Sequence, residues 1–324
     1  AYHLERAKGG IAMTMTAGSA VVSKDSPPSF DNIHAYKDEV VPWIKKLTDT
    51  IHDQDCKIMI QLTHLGRRTS WSKGDWLPSL SSGKHREPAH KAFPKVIESW
   101  DIERIIKEYG DAAERMKQGG MDGVELEGQG HLIGQFLSPL TNELNTEYGG
   151  SLENRLRFTI DVLSDIRKKV GQEFIVGIRC VFDEVEEGGI NKSEGLKIAQ
   201  ILSDSGLVDY LNVNKGRIHT DPILTKHIPI QGMKSAPHLD FAGEIKKKIN
   251  IQKLHASKNS DVATARYAIS NGLVDMVGMT RGHLADPHIV SKIKEKREED
   301  IRPCVGATYC LDRIYQGEEA LCIH

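Results

Sequence analysis

Seven short runs of β-branched and other apolar residues recur along the chain, separated by longer segments whose apolar positions return with helical period. The runs are IAMTMTAGSAVV from Ile11, KIMIQLTHLG from Lys57, GVELEG from Gly123, FIVGIRCV from Phe174, LVDYLNVNKG from Leu207, IQKLHASK from Ile251 and VDMVGMTRG from Val274. Between them lie segments such as DIERIIKEYGDAAERMKQGG, NRLRFTIDVLSDIRKKV, SEGLKIAQILSDSG and SDVATARYAISNG. Each opens near an Asp, Ser or Asn able to cap a helix, and three close at Gly, which favours helix ends. Strands alternating with helices predict the α/β class with a parallel sheet. A right-handed succession of such units closes most naturally into a (β/α)8 TIM barrel. The chain opens on a helical segment, AYHLERAKGG, of the kind that follows a first strand. The expectation is therefore a TIM barrel whose first strand is missing from this chain, with a seven-stranded or rearranged barrel as the alternative.

Charge and composition narrow the function. With 43 basic against 45 acidic side chains, nothing in the net charge recruits nucleic acid or an anionic membrane surface. The apolar runs are strand-sized, too short for a membrane span, and no signal segment opens the chain. Five cysteines in 324 residues make no disulfide framework, which points to a reducing, cytoplasmic setting. The longest irregular stretch, 67–99, carries Trp71, Trp76, Pro78, Pro88 and Pro94. A loop of that size after a barrel strand is expected to cover a site.

The C-terminal strand ends of a barrel build its active site, and here several are polar. The Lys57 strand ends in Gln61, Thr63, His64, Gly66 and Arg67; the Gly123 strand ends in Glu127, Gly128, Gln129, Gly130 and His131. Arg179 lies within a strand and needs an anionic or accepting partner, of which Asp183 is the plain structural candidate. HASK at 255–258 and VGMTRG at 277–282 place small residues and a cation, Lys258 or Arg281, at the last two strand ends, where barrels commonly grip phosphate. Near the C-terminus, Cys304, Cys310 and Cys322 occupy positions suited to thiolate ligands of an iron–sulfur cluster, with Ala307 standing where a further ligand would fall. Ordinary buried cysteines are the alternative reading. Residues 1–298 are assigned to the barrel, and 299–324 to a cysteine segment that opens an iron–sulfur and nucleotide-binding region.

The stretch GHLIGQFLSPLTNELNTEYGGSLENRLRF closely resembles the hallmark segment of the old yellow enzyme family of FMN-dependent oxidoreductases, in its trimethylamine dehydrogenase and dienoyl-CoA reductase branch. IQLTHLGRR, VGIR and VDMVGMTRGHLADP extend the resemblance over essentially the whole chain. It implies FMN at the barrel mouth, with Gly18 against the ring, Gln61 on the pyrimidine edge and Arg179 near N1 and the C2 carbonyl. Ser257, Lys258, Gly278, Thr280 and Arg281 would surround the phosphate. A cation beside N1 raises the electron affinity of the ring, which accounts for a buried Arg better than a structural ion pair does.

The chain departs from many members at Glu127-Gly128-Gln129-Gly130-His131, which places a carboxylate where a His is usual. An ionised Glu is a poor donor to an enone carbonyl but suits a cationic amine. The arrangement resembles the branch that demethylates N-methylated amino acids such as dimethylglycine or N-methylproline. The expected reaction is oxidative N-demethylation: hydride leaves an N-methyl carbon for the flavin, and the iminium hydrolyses to formaldehyde and the demethylated amine. Glu127 would hold the ammonium or accept its proton, and His131 would bind the substrate carboxylate or act as acid–base group. His64 and Arg67 are further candidates for the carboxylate. Multidomain relatives carry a 4Fe–4S cluster on the cysteine segment, so Ala307 leaves three-cysteine ligation, completion by His324 or water, and absence all open. The expected partners are a small N-methylated amine or amino acid and an electron acceptor of unknown identity, with homo-oligomerisation left open. Alternatives are an NAD(P)H-dependent ene-reductase, a non-catalytic flavin- or cluster-binding electron-transfer fragment, and a metal-dependent hydrolase using His64, Glu127 and His131.

Overall fold

A computed structural model describes residues 1–26, 32–68, 77–89 and 91–324. After helix α1 (Tyr2–Lys8) come strand β1 (Met13–Val21), helix α2 (Val41–His52) and strand β2 (Lys57–Thr63). The long connection that follows contributes two short strands, β3 (Leu80–Ser81) and β4 (Lys95–Val96), which pair only with each other. Then come α3 (Ser99–Gln118), β5 (Gly123–Gly128), α4 (Leu132–Leu137), α5 (Leu152–Val170), β6 (Ile175–Val181), α6 (Lys192–Asp204) and β7 (Tyr210–Asn214). The chain continues through α7 (Asp221–His227), α8 (Leu239–Lys246), β8 (Gln252–His255), α9 (Val262–Ser270), β9 (Met276–Val277), α10 (Thr280–Ala285), α11 (Ile289–Lys294) and α12 (Tyr309–Tyr315). The expected caps form: the side chains of Ser151, Asn191 and Asp261 accept backbone N–H groups of Asn154, Glu194 and Thr264 at the starts of α5, α6 and α9.

All seven strand runs read from the sequence join one parallel sheet, in the order β1-β2-β5-β6-β7-β8-β9. Among the described residues β1 and β9 do not pair with each other. The sheet nevertheless curls until helices at its two ends meet. Arg6 Nε donates to the His283 carbonyl at 3.0 Å, His288 Nε2 lies 2.8 Å from a Glu5 carboxylate oxygen, and the Ser291 N–H donates to the Gly9 carbonyl at 2.9 Å.

Strand alternation sorts side chains onto the two faces of this sheet. Ile58, Ile60, Leu62, Val124, Leu126, Val176, Ile178, Leu211 and Val213 belong to the large core that includes the helices. The opposite parity faces inward. There Met59, Tyr210 and Leu254 form a small apolar plug, packed by Met13, Met15 and Met276. Toward the C-terminal ends the inward positions turn polar: Gln61, Glu125, Glu127, Arg179 and Asn212, with Gln61 in register with Glu125 and Arg179 in register with both Glu127 and Asn212. No helix among the described residues is long and apolar enough to cross a membrane.

Candidate active site

The polar end of the inner face opens into a cleft of about 380 Å³. Gln61, Glu127, His131, Arg179, Ser257, Lys258, Gly278, Thr280 and Arg281, all singled out from the sequence, line it together. Gly18 lies within β1, and what surrounds it lies outside the described residues, as do Trp71 and Trp76. The described start of the long connection, Leu65 and Arg68, does reach the cleft.

At the floor, Glu125 is fully buried and receives three donors: Gln61 Nε2 at 2.7 Å, the Tyr210 hydroxyl at 2.9 Å and Asn212 Nδ2 at 3.0 Å. A carboxylate only accepts, so it commits the Gln61 amide to point its NH2 inward and its carbonyl oxygen elsewhere. Glu127, two residues on, is 7% exposed and less well served. It accepts one N–H, from Gln129 at 2.9 Å, and lies 3.7 Å from Arg179 Nε. Burial pushes its carboxyl up to about 7, Arg179 opposes the rise and the neighbouring Glu125 charge adds to it.

Arg179 does not pair with Asp183, which instead meets Lys215 at 2.9 Å. Its guanidinium donates to Gln129 Oε1 at 3.0 Å and to His227 Nε2 at 3.3 Å. His227 can accept because burial, with Arg179 beside it, holds its pKa down at about 3 and keeps the ring neutral. His131 caps no helix with its side chain; its Nδ1 lies 2.9 Å from the Thr63 hydroxyl.

On the opposite side, the Gly278 backbone lies so close to Ala256 that a Cβ at 278 would come within 2.6 Å of the Ala256 Cβ. Arg281 Nη1 is buried without a hydrogen-bond partner, and so is Asn259 Oδ1. Lys258 behaves differently from the sequence expectation. Its residue takes φ of 52°, and its ammonium donates to the Ile230 carbonyl at 2.8 Å and to that of Met233, so it braces a loop. The charge that remains for an anion is that of Arg281.

Two expectations need correction. His64 does not line the cleft: its ring is fully buried, with Nδ1 accepting the Gly66 N–H at 3.0 Å and Nε2 donating to Asp25 at 2.9 Å. It follows the inward-facing Thr63 and so points to the other face. The cysteine segment, in turn, does not gather its thiols as the expected ligand set. Its helix α12 closes over the mouth, and Cys310, Leu311, Ile314 and Tyr315 line the cleft. Cys304, Cys310 and Cys322 are free thiols, and among the described residues no three His, Cys, Asp or Glu side chains gather closely enough to hold a metal ion. As placed, the cysteines do not form a cluster ligand set. Gln129, named among the polar strand-end residues, also lines the cleft, and further cleft residues not foreseen from the sequence are Arg68, Ile218, His227 and Asn259.

The site is thus a curled parallel sheet whose mouth carries an unpaired arginine nitrogen on one side and buried ionisable side chains on the other, the frame of a barrel enzyme. Residues 1–300 match the NADH:flavin oxidoreductase / NADH oxidase family, and the chain belongs to this family, the FMN-dependent old yellow enzymes. It is 67% identical over 324 residues to a probable N-methylproline demethylase of Rhizobium meliloti, covering 100% of this chain and 48% of the relative. It is 44% identical over 324 residues to a multifunctional alkene reductase/demethylase of Caballeronia cordobensis, covering 100% of this chain and 47% of that protein. The chain thus spans about half the length of the curated relatives it matches. Among solved structures, 2-naphthoyl-CoA reductase in complex with 2-naphthoyl-CoA superposes with a TM-score of 0.92 at 26% identity, over 99% of this chain and 50% of that one.

The cleft fits FMN by its own chemistry. An orphaned guanidinium nitrogen and a close-packed glycine suit a phosphate, and a pre-oriented amide and an arginine at the floor suit the polar edge of a ring.

Proposed function

We propose that this chain is the FMN-binding oxidoreductase unit of an enzyme that demethylates a small N-methylated amino acid. The observation that carries the proposal is Glu127, a buried carboxyl on the cleft wall poised near neutrality. When bound, FMN supplies the two-electron acceptor for the hydride of an N-methyl group. Gln61, Arg179, Ser257, Gly278, Thr280 and Arg281 are the residues that would hold it, with Gly18 proposed for its ring face. A carbon next to nitrogen gives up hydride only when the nitrogen lone pair is free, and an ammonium has none. A base beside the nitrogen must take that proton, and an acid–base group titrating near the working pH does so most effectively. Glu127 meets this requirement, with Arg179 fixed behind it by Gln129 and His227. His131, held by Thr63, is the second acid–base group. The similarity to a relative named for N-methylproline demethylation supports the same substrate class. An iron–sulfur cluster forms no part of this proposal, because the three thiols are not arranged as ligands.

A second reading is favoured by the same carboxyl. The sequence argument against enone reduction took Glu127 as fully ionised, yet a group titrating at about 7 is partly protonated at neutral pH and can donate to a carbonyl. A relative named as both alkene reductase and demethylase is consistent with that. The two activities should separate by pH. Amine-driven flavin bleaching needs the carboxylate and should rise through about pH 7, whereas enone reduction needs the acid and should fall there. Stopped-flow bleaching by N-methylproline should slow by about 10²–10⁴-fold in Glu127→Gln and lose its limb near pH 7, with FMN still bound. Unchanged bleaching in the variant would make Glu127 structural and overturn the role assigned to it, whereas no bleaching by N-methylproline in the unaltered chain would overturn the demethylase assignment.

A further inference from the structure

Beside the cleft lies a smaller recess of about 40 Å³, and Arg68, Gln129 and Ile218 line both. At roughly 10–15 Å³ per water, the recess has room for about three waters or one carboxylate group. Its charge is unbalanced. Arg67, Arg68 and Arg217 face it against Glu87 and Glu184. Arg217 is paired twice, with Glu184 at 3.4 Å and Glu186 at 2.9 Å, and Arg68 meets Glu87 at 3.5 Å. Arg67 is 6% exposed, donates to the His85 carbonyl at 3.1 Å and makes no ion pair among the described residues. Burial lowers its pKa, and Arg217 and Arg68 add to that against the pull of Glu87. A buried cation without its own anion is costly, and such a cost is offset when a ligand brings the anion. On the same wall, His219 Nδ1 is buried without a hydrogen-bond partner.

The position of the recess gives this imbalance a meaning. Gln129 links the two spaces: its N–H holds Glu127 at 2.9 Å, its Oε1 accepts from Arg179 at 3.0 Å, and the residue lines both spaces. A carboxyl group in the cleft is thereby set beside guanidinium cations in the recess, which matches a zwitterion whose nitrogen and carboxylate are one carbon apart. Resting on the demethylase reading, we propose that the recess is the carboxylate subsite, with Arg67 and Arg68 receiving the α-carboxylate of a substrate whose nitrogen lies against Glu127. The substrate class is then N-methyl α-amino acids rather than simple N-methyl amines. Arg67 and Arg68 act as specificity residues, and neither needs to take part in hydride removal.

The test is an equilibrium titration of the FMN-loaded chain, read by the perturbation of flavin absorbance, with L-proline and prolinamide. Neither ligand has an N-methyl group to lose, and the amide lacks only the negative charge. The acid should bind about 10–100-fold tighter than the amide, the worth of charge-assisted hydrogen bonds. Arg67→Met should abolish most of that gap by weakening the acid alone, and Arg67→Lys should retain part of it. Equal binding of acid and amide by the unaltered chain, or equal loss of both in Arg67→Met, would overturn the subsite. The first comparison needs no variant, so a misfolded mutant cannot obscure it. An acid–amide gap without bleaching by N-methylproline would keep the subsite and sink the demethylase reading; bleaching without a gap would do the reverse.

Discussion

The β8–β9 side of the cleft and the β2–β5–β6 side present polar groups to the same space by different means. On the first, small residues let the backbone come close, Gly278 sits against Ala256, and one arginine nitrogen is left unpaired. Its properties are nearly those of its own few residues. On the second, two glutamates two positions apart on one strand face have contrasting surroundings. Glu125 receives three donors, whereas Glu127 has one backbone N–H and an arginine at 3.7 Å and is pushed up to about 7. What a buried carboxyl does therefore depends on how many donors the fold delivers to it, and those donors come from other strands.

The sharpest way to break this comparison is at the simple side. Arg281→Ala removes a buried guanidinium nitrogen without a hydrogen-bond partner and should weaken FMN binding by about 1.5–3 kcal/mol, roughly 10–100-fold, with the fold unchanged. Flavin fluorescence during titration of the apoprotein measures it. Undiminished flavin retention would show that the backbone alone makes the grip.

On the charged side, the corresponding change is Glu125→Gln. It preserves shape but replaces an acceptor with an amide that presents a donor to Gln61, Tyr210 or Asn212. The expected cost is about 1–3 kcal/mol of stability in urea unfolding, the penalty for an unsatisfied buried polar group. A neutral outcome would mean that the network re-forms around an amide and that Gln61 is oriented by something else.

Much of this was legible from alternation alone. Residues of one parity at strand ends share the inner face, which is why Gln61, Glu127 and Arg179 assemble with the β8–β9 residues. The same rule would have excluded His64, since it directly follows the inward-facing Thr63. The partners of Arg179 were not legible: Gln129 and His227 are 50 and 48 residues away in sequence, brought in by a loop and by the end of α7. Nor was the pKa of Glu127, which depends on Glu125, Arg179 and burial together. The docking of α12 had an unused signal. Leu311, Ile314 and Tyr315 fall at helical spacing, and that apolar stripe is what meets the cleft.

Lys258 supplies the smallest expected effect and the finest test of how the β8–β9 side works. From the sequence it is a second phosphate cation; in the structure its ammonium is committed to the carbonyls of Ile230 and Met233. Those bonds hold the segment after α7, from which Ile228 and Pro229 reach the cleft wall. Lys258→Met keeps the length of the side chain and removes the donor. If the lysine is a brace, the variant should lose about 1 kcal/mol of stability, typical of a hydrogen bond from a partly exposed donor, and amide exchange should quicken at residues 230–233. FMN affinity should change far less than in Arg281→Ala, because the loss of a brace acts on the phosphate only through the wall. A loss of affinity equal to that of Arg281→Ala, without faster exchange at 230–233, would mean that the ammonium leaves the carbonyls for the phosphate when FMN binds.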